Sequence, residues 1–314
     1  MYKEDNLSKI NLLNKLFTKE IYHVFFLVNP IVEIIIFLFI KLLNIPEDKV
    51  IIFRLRENPS IILDLPTYFI KKTILDRIFI KLGIDRYSNK FDRFINDKEI
   101  KYYLYSSWVH PEFKKLLQNP NCIGHFYLEE GQISHRERKF IDEQITNNET
   151  INKTSKYAED LNAYHRSDCI YFIAIDPKAF PHINKDKKIL LKDLDLIKSI
   201  YKPKLLGKKF IGIVPAPRRL YKQKLFKCLF EMASIMPNNS IIKLHPGYKL
   251  NQKRLEFFQN KIKNKINKDI EFCDQKVILE IEMLFEKKTL FGSKSSLIRY
   301  AELFKSEYKL IDLY

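Results

Sequence analysis

The sequence predicts an α/β protein built from two Rossmann-like domains facing across a cleft, and three observations predict it. Short apolar runs alternate with helical stretches along most of the chain, which is the pattern of parallel strands covered by helices. A charged stretch at residues 184–209, holding Pro203 and Gly207, interrupts that pattern, and the alternation restarts regularly behind it. The chain has 314 residues, enough for two mid-sized domains. In open α/β sheets ligands sit beyond the carboxyl ends of the strands, so chemistry is expected there.

The elements follow in order. Residues 21–45 are strongly apolar but are broken at Asn29-Pro30 and again at Glu33. Asn as a cap followed by Pro at the first helical position is a helix start, so the run reads as a strand at 22–28 and a helix at 30–43, with a second strand at 50–55. Neither piece reaches the roughly 20 helical residues that a bilayer requires. Strands at 101–105 and 123–128 flank a helix at 111–117, and polar helical sequence at 134–166 leads to a strand at 169–175. Behind the boundary, strands at 210–214, 240–244, 270–272, 289–291 and 308–311 alternate with helices at 218–235, 250–266, 277–286 and 295–304.

Composition narrows the function classes. Hydrophobic residues at 46% and aromatics at 13% exclude a disordered chain. The 55 basic against 38 acidic residues give a net charge of +17, which calls for an anionic partner. Most of the excess is Lys spread through 185–209 and 243–268, and no helix-turn-helix, zinc-finger or RNA-binding pattern is present, so a dedicated nucleic-acid partner is not expected. Cys122, Cys169, Cys228 and Cys273 have no short paired spacing and read as reduced thiols. Residues 1–19 are polar and charged rather than a secretory signal, which points to a cytoplasmic address.

Three strand ends carry reactive groups. At Glu129-Glu130-Gly131, neighbouring carboxylates in a partly dry cleft would repel, raising one of them toward the range of a general base; a solvated loop explains the same letters. At Lys243-Leu244-His245-Pro246-Gly247, an imidazole held at the mouth of a sheet suits a leaving phosphate, while a structural His beside a turn is the alternative. At Gly292-Ser293-Lys294-Ser295-Ser296, hydroxyls and amides where a helix starts suit an anion, and ordinary N-capping is the alternative.

Taken in this order, Glu129-Glu130-Gly131, His245-Pro246 and Ser295-Ser296 resemble the signature set of bacterial sialyltransferases, including the lipooligosaccharide and capsule polysialyltransferase families, over about residues 100–304. The resemblance implies a GT-B enzyme. Residues 1–203 would be an acceptor-binding domain and 204–314 a CMP-sugar-binding domain. Its activity would be inverting transfer of a nonulosonic acid, such as sialic or pseudaminic acid, from CMP to a capsule or lipooligosaccharide glycan, with no metal and no other cofactor.

In that family the leading acid of the first motif is the base, which falls on Glu129, with Glu130 the other candidate. The resemblance puts His245 and the serines Ser295 and Ser296 on the CMP phosphate, and Glu282 or Glu280 on the ribose. Lys243, Pro246, Gly247 and Ser293 complete the expected donor-binding set, and Lys294 and Arg299 add positive charge suited to an anionic donor. A lipid-linked acceptor would place the chain peripherally on the inner membrane, where each basic residue near anionic lipid contributes about 1 kcal/mol.

Other patterns read as structural. Asp193-Leu194-Asp195 looks like a metal-binding acidic pair but lies on a Lys-rich, solvated helical face. His110-Pro111 is a helix start, and His135 and Arg136, which could touch acceptor sugars, read as surface residues of a helix. Pro215-Ala216-Pro217-Arg218 sits where a nucleotide-facing loop is expected. Two alternative functions remain: Kdo or glycerophosphate transfer from a cytidine nucleotide, and a non-enzymatic basic protein that binds membrane surfaces or nucleic acid.

Overall fold

The computed structural model describes residues 2–55, 62–70, 73, 75–76, 86–107, 111–131, 133–135, 169–215, 225–245, 248, 251–274, 277–293 and 295–311. Arg136, His110, Pro246, Gly247, Lys294 and most of the expected helical stretch at 134–166 therefore lie outside the described residues. The chain divides into two compact units, Met1–Leu196 and Ile197–Tyr314, rather than at 203/204. Residues 201–205 go with the second unit because Glu282 holds the Tyr201 hydroxyl and the amides of Lys204 and Leu205.

The first unit carries a seven-stranded sheet of β1 (Tyr22–Leu27), β2 (Val50–Arg54), β3 (Thr67–Phe69), β4 (Tyr102–Ser106), β5 (Cys122–Leu128), β6 (Cys169–Ala174) and β7 (Lys188–Leu190). Every described pairing is parallel, in the order β3-β2-β1-β4-β5-β6-β7. The order reverses between β1 and β4, which makes that pair the switch point of the sheet. Its helices are α1 (Tyr2–Leu16), α2 (Pro30–Leu42), α3 (Arg86–Asn96) and α4 (Pro111–Gln118), while α5 (Asp195–Ile200) spans the division between the units.

Alternation along the strands explains why both faces of this sheet are covered. Phe25, Tyr105 and Phe126 stack in one layer, and Phe39 of α2 packs on Tyr105 and Phe126. Phe26, one residue on, meets Phe53 and Phe91, the latter from α3. The apolar run at 21–45 thus folds as β1 and α2 as the sequence predicts. Asn29 caps α2 by accepting the Val32 N–H, Pro30 opens it, and residues 31–40 are all buried. Among the described residues no helix is long and apolar enough to cross a membrane.

The second unit carries β8 (Phe210–Ile213), β9 (Ser240–Lys243), β10 (Ile270–Phe272), β11 (Thr289–Gly292) and β12 (Glu307–Leu310), again parallel, in the order β10-β9-β8-β11-β12. Its helices are α6 (Leu225–Ile235), α7 (Gln252–Ile266), α8 (Leu279–Phe285) and α9 (Leu297–Leu303). Leu229 and Met232 of α6 and Phe258 and Ile262 of α7 share one core with Ile242 and Leu244. The switch point here is β8/β11. The strands approach closely at it: a Cβ on Gly292 would lie 3.0 Å from the Ile213 carbonyl oxygen and 2.9 Å from the Tyr308 hydroxyl.

One buried titratable group tests the first core. His23 on β1 is 2% exposed, its Nδ1 lies 2.8 Å from the Tyr105 hydroxyl, and burial lowers its pKa to about 3. Tyr103 and Tyr105, which flank the ring, are pushed up by burial and stay neutral. Because the folded value lies below the unfolded one, the unfolded chain binds more protons between about pH 6.5 and 3, and stability falls as pH falls through that window. His23→Gln should remove this dependence, lessening the wild-type loss by on the order of 3 kcal/mol at pH 4. Urea midpoints across the pH range measure it; parallel wild-type and variant curves would refute it.

Candidate functional site

The functional side chains of the first unit gather where β4, β5 and β6 end side by side. Backbone alternation at the end of β5 sends Glu129 inward and Glu130 outward. Gly131, at φ +41°, then turns the chain back so that Ser134 and His135 return to the strand end. The Glu130 amide donates to Ser134 Oγ at 2.7 Å, closing that turn.

Glu129 is fully buried and its carboxylate is occupied. Oε2 accepts the amides of Ile175 (2.8 Å) and Asp176 (3.0 Å) behind β6, and His135 Nε2 lies 3.2 Å from Oε1. Asp176 Oδ2 stands 3.7 Å from the same nitrogen, so the imidazole proton sits on Nε2, facing both carboxylates. His135 is therefore buried at the strand end, not on a helix surface as the sequence reading had it. Glu129, His135 and Asp176 offer three ligand atoms within 4.8 Å of one another, a set whose chemistry could hold a divalent cation.

Glu130 differs. It is half-buried, and its Oε2 accepts from the Ser107 hydroxyl at 3.3 Å. Ser107 is fully buried just past β4, so it fixes the carboxylate toward the β1/β4 switch point. The bonds described for the two glutamates run to different strands, β6 for Glu129 and β4 for Glu130.

In the second unit, Lys243 ends β9 and His245 follows it, exposed, with its carbonyl accepting the Tyr248 amide. Burial holds the Lys243 ammonium below its usual range, offset in part by Cys273, Glu280 and Asp274. Glu280, in the first turn of α8, is shifted the opposite way: burial raises it, and its own amide and Lys243 pull it back. Ser293 is nearly buried past β11, and its carbonyl accepts from Tyr308. β8 lies between β9 and β11, so His245 and Ser293 flank its end on strands about 10 Å apart.

Ser295 and Ser296 are half-buried; Ser295 Oγ accepts the Leu297 amide at 3.3 Å, whereas the Ser296 side chain makes no capping bond. Glu282 is 1% exposed and is engaged by Tyr201 Oη (2.9 Å), Lys204 N (2.9 Å) and Leu205 N (3.0 Å). Glu280, on the same helix, is half-buried. Asp193 and Asp195 are exposed, as a solvated helical start requires. The sequence reading passed over Ser107 and Asp176; both follow apolar runs at strand ends, which is the one signal that could have found them.

No protein-family model matches the sequence, and no curated protein matches it. Solved structures do. The chain is similar to S. aureus MnaA, solved with UDP, at 11% identity over 92% of this chain and 78% of that one, with a TM-score of 0.56. It is also similar to a putative UDP-N-acetylglucosamine 2-epimerase from Listeria monocytogenes, at 11% identity over 93% and 79% of the two chains, with a TM-score of 0.53. These likenesses establish the fold: two Rossmann-like α/β units of the GT-B class.

The two acids of α8 should separate by experiment. Glu282→Ala leaves two backbone amides without their acceptor and should cost about 2–4 kcal/mol, read from the denaturant midpoint. Glu280→Gln keeps the neutral form that burial already favours and should shift the midpoint by less than about 0.5 kcal/mol. Equal losses in the two variants would contradict this division.

Proposed function

We propose that this chain is a glycosyltransferase that moves a sugar from a nucleotide donor, and more finely that it transfers a nonulosonic acid from CMP, with inversion, to a glycan acceptor. The observation that carries this reading is Glu130: a half-buried carboxylate at the carboxyl end of a central strand, aimed by the buried Ser107 and anchored through Ser134, beside the switch point of a GT-B sheet. That is where an acceptor hydroxyl would need a base. The reading moves the base from Glu129, whose lone pairs are committed to two amides and an imidazole, to its neighbour.

In the proposed step Glu130 takes the proton of the acceptor hydroxyl as its oxygen attacks the anomeric carbon. The carbon–oxygen bond to the phosphate breaks, and CMP leaves with the electron pair. His245, Lys243 and the Ser293, Ser295 and Ser296 hydroxyls are the groups offered to the departing phosphate, with Glu280 at the ribose. A donor bearing both phosphate and carboxylate charge would favour the charged form of Lys243, whose burial otherwise disfavours it. Transfer needs no metal in this reading, in which Glu129 serves as a brace that accepts the amides of Ile175 and Asp176 beside His135.

The structures of similar fold are described with uridine nucleotides, so the nucleotide is the point to test. The purified chain, given CMP-sialic acid, CMP-pseudaminic acid, CMP-Kdo, CDP-glycerol and UDP-N-acetylglucosamine in EDTA, should release CMP from a nonulosonate donor only. Glu130→Gln should lower kcat by about 10²–10⁴ while leaving CMP affinity unchanged. Turnover of the UDP-sugar alone, or activity abolished by EDTA, would falsify the finer reading.

A further inference from the structure

The first unit holds a cavity of about 70 Å³ between α1 and β7, and its lining is basic. Lys9, Lys185, Lys188 and Lys192 converge on it together with Asn6, Pro177 and Leu190. Such a space exceeds the roughly 10–15 Å³ that one water needs, so it admits a tetrahedral oxyanion.

The walls are built rather than accidental. Asn6 donates to the Leu190 carbonyl (2.8 Å) and accepts the Leu190 amide (3.2 Å), stapling α1 along the edge strand. Lys9 is 7% exposed and donates to the carbonyls of Lys185 (2.8 Å) and Lys188 (3.2 Å), which fixes the turn that enters β7. Lys188 spends one of its three N–H bonds on the Ala179 carbonyl at 2.9 Å. Burial and the neighbouring Lys185 charge both hold the Lys188 ammonium below its usual range. Like charges brought together in this way gain most from an anion between them.

We propose that the cavity between α1 and β7 binds a phosphate-bearing ligand, held by Lys185, Lys188 and Lys192. This does not depend on the proposed transfer reaction. The phosphate could be that of a soluble ester or of a lipid headgroup. Of the exposed leucines of α1, Leu12 and Leu16 lie about 40° apart and Leu7 about 140° from Leu12 at about 100° per residue, so the three do not form a single apolar stripe.

The test uses the full chain and inorganic phosphate as probe, with chloride of equal ionic strength as control. Phosphate should raise the melting midpoint of the wild type, and a Lys188→Gln/Lys192→Gln variant should lose that rise. Lys192→Gln alone, at an exposed position, should weaken phosphate binding about tenfold in calorimetry while melting close to the wild type in chloride. Sedimentation with phosphatidylglycerol against phosphatidylcholine vesicles separates the sources. Lysine-dependent binding to the anionic vesicles assigns the phosphate to a headgroup, and lysine-dependent phosphate binding without vesicle binding assigns it to a soluble ligand. If neither phosphate nor anionic vesicles distinguish wild type from the lysine variants, the site does not exist.

Discussion

A buried carboxylate that accepts two successive backbone amides is the interaction on which the strand-end geometry depends, and among the described residues it occurs three times. Glu33 takes the amides of Ile62 and Leu63, Glu129 those of Ile175 and Asp176, and Glu282 those of Lys204 and Leu205. All three are at most 3% exposed. Irregular segments leaving a parallel sheet carry amides that no ladder satisfies, and a pair of them pointing one way makes a small anion-binding concavity. Charge-assisted bonds of this kind contribute about 1.5–3 kcal/mol each, which offsets the cost of taking a carboxylate out of water only when both amides are engaged. Glu129 thereby fixes the loop that leaves β6, Glu33 a segment ahead of β3 and Glu282 the segment ahead of β8.

At the end of β5 this constraint has a functional result. Glu129 ties β5 to the turn behind β6 and holds His135, which orients the short return from Gly131. The next residue, Glu130, points the other way and meets Ser107, on the strand nearer the switch point. A rigid first glutamate is what gives the second a defined direction.

Most of the architecture was legible in the sequence. The strands that carry the sheets were readable because they are four to seven residues of nearly unbroken apolar sequence, and Asn29-Pro30 marked the start of α2 by capping chemistry alone. β3 and β7 were not, since Thr67–Phe69 directly follows a proline and Lys188–Leu190 lies within the charged stretch at 184–209, and α1 was not readable because its polar residues, Asn6 and Lys9, face inward. The site was legible as positions but not as roles. His135 read as a surface residue and Glu282 as a ligand of the ribose, and both are buried; beside them return segments 41 and 77 or more residues away in sequence, which no local pattern encodes.

The same reasoning separates the two letters of the acidic pair. A general base must accept a proton without losing the contacts that hold it in place. Protonating Glu129 would place a hydroxyl among two amide donors and an imidazole N–H, exchanging attraction for crowding at the joint between two strands. The bond that Glu130 accepts from Ser107 survives protonation, because the serine hydroxyl can rotate to accept instead of donate. Ser107 is in this sense a reversible partner, able to stay bonded to the carboxylate before transfer and to the acid after it. A strand end that pairs an immovable glutamate with a reversible one can supply both a fixed frame and a proton acceptor from adjacent residues.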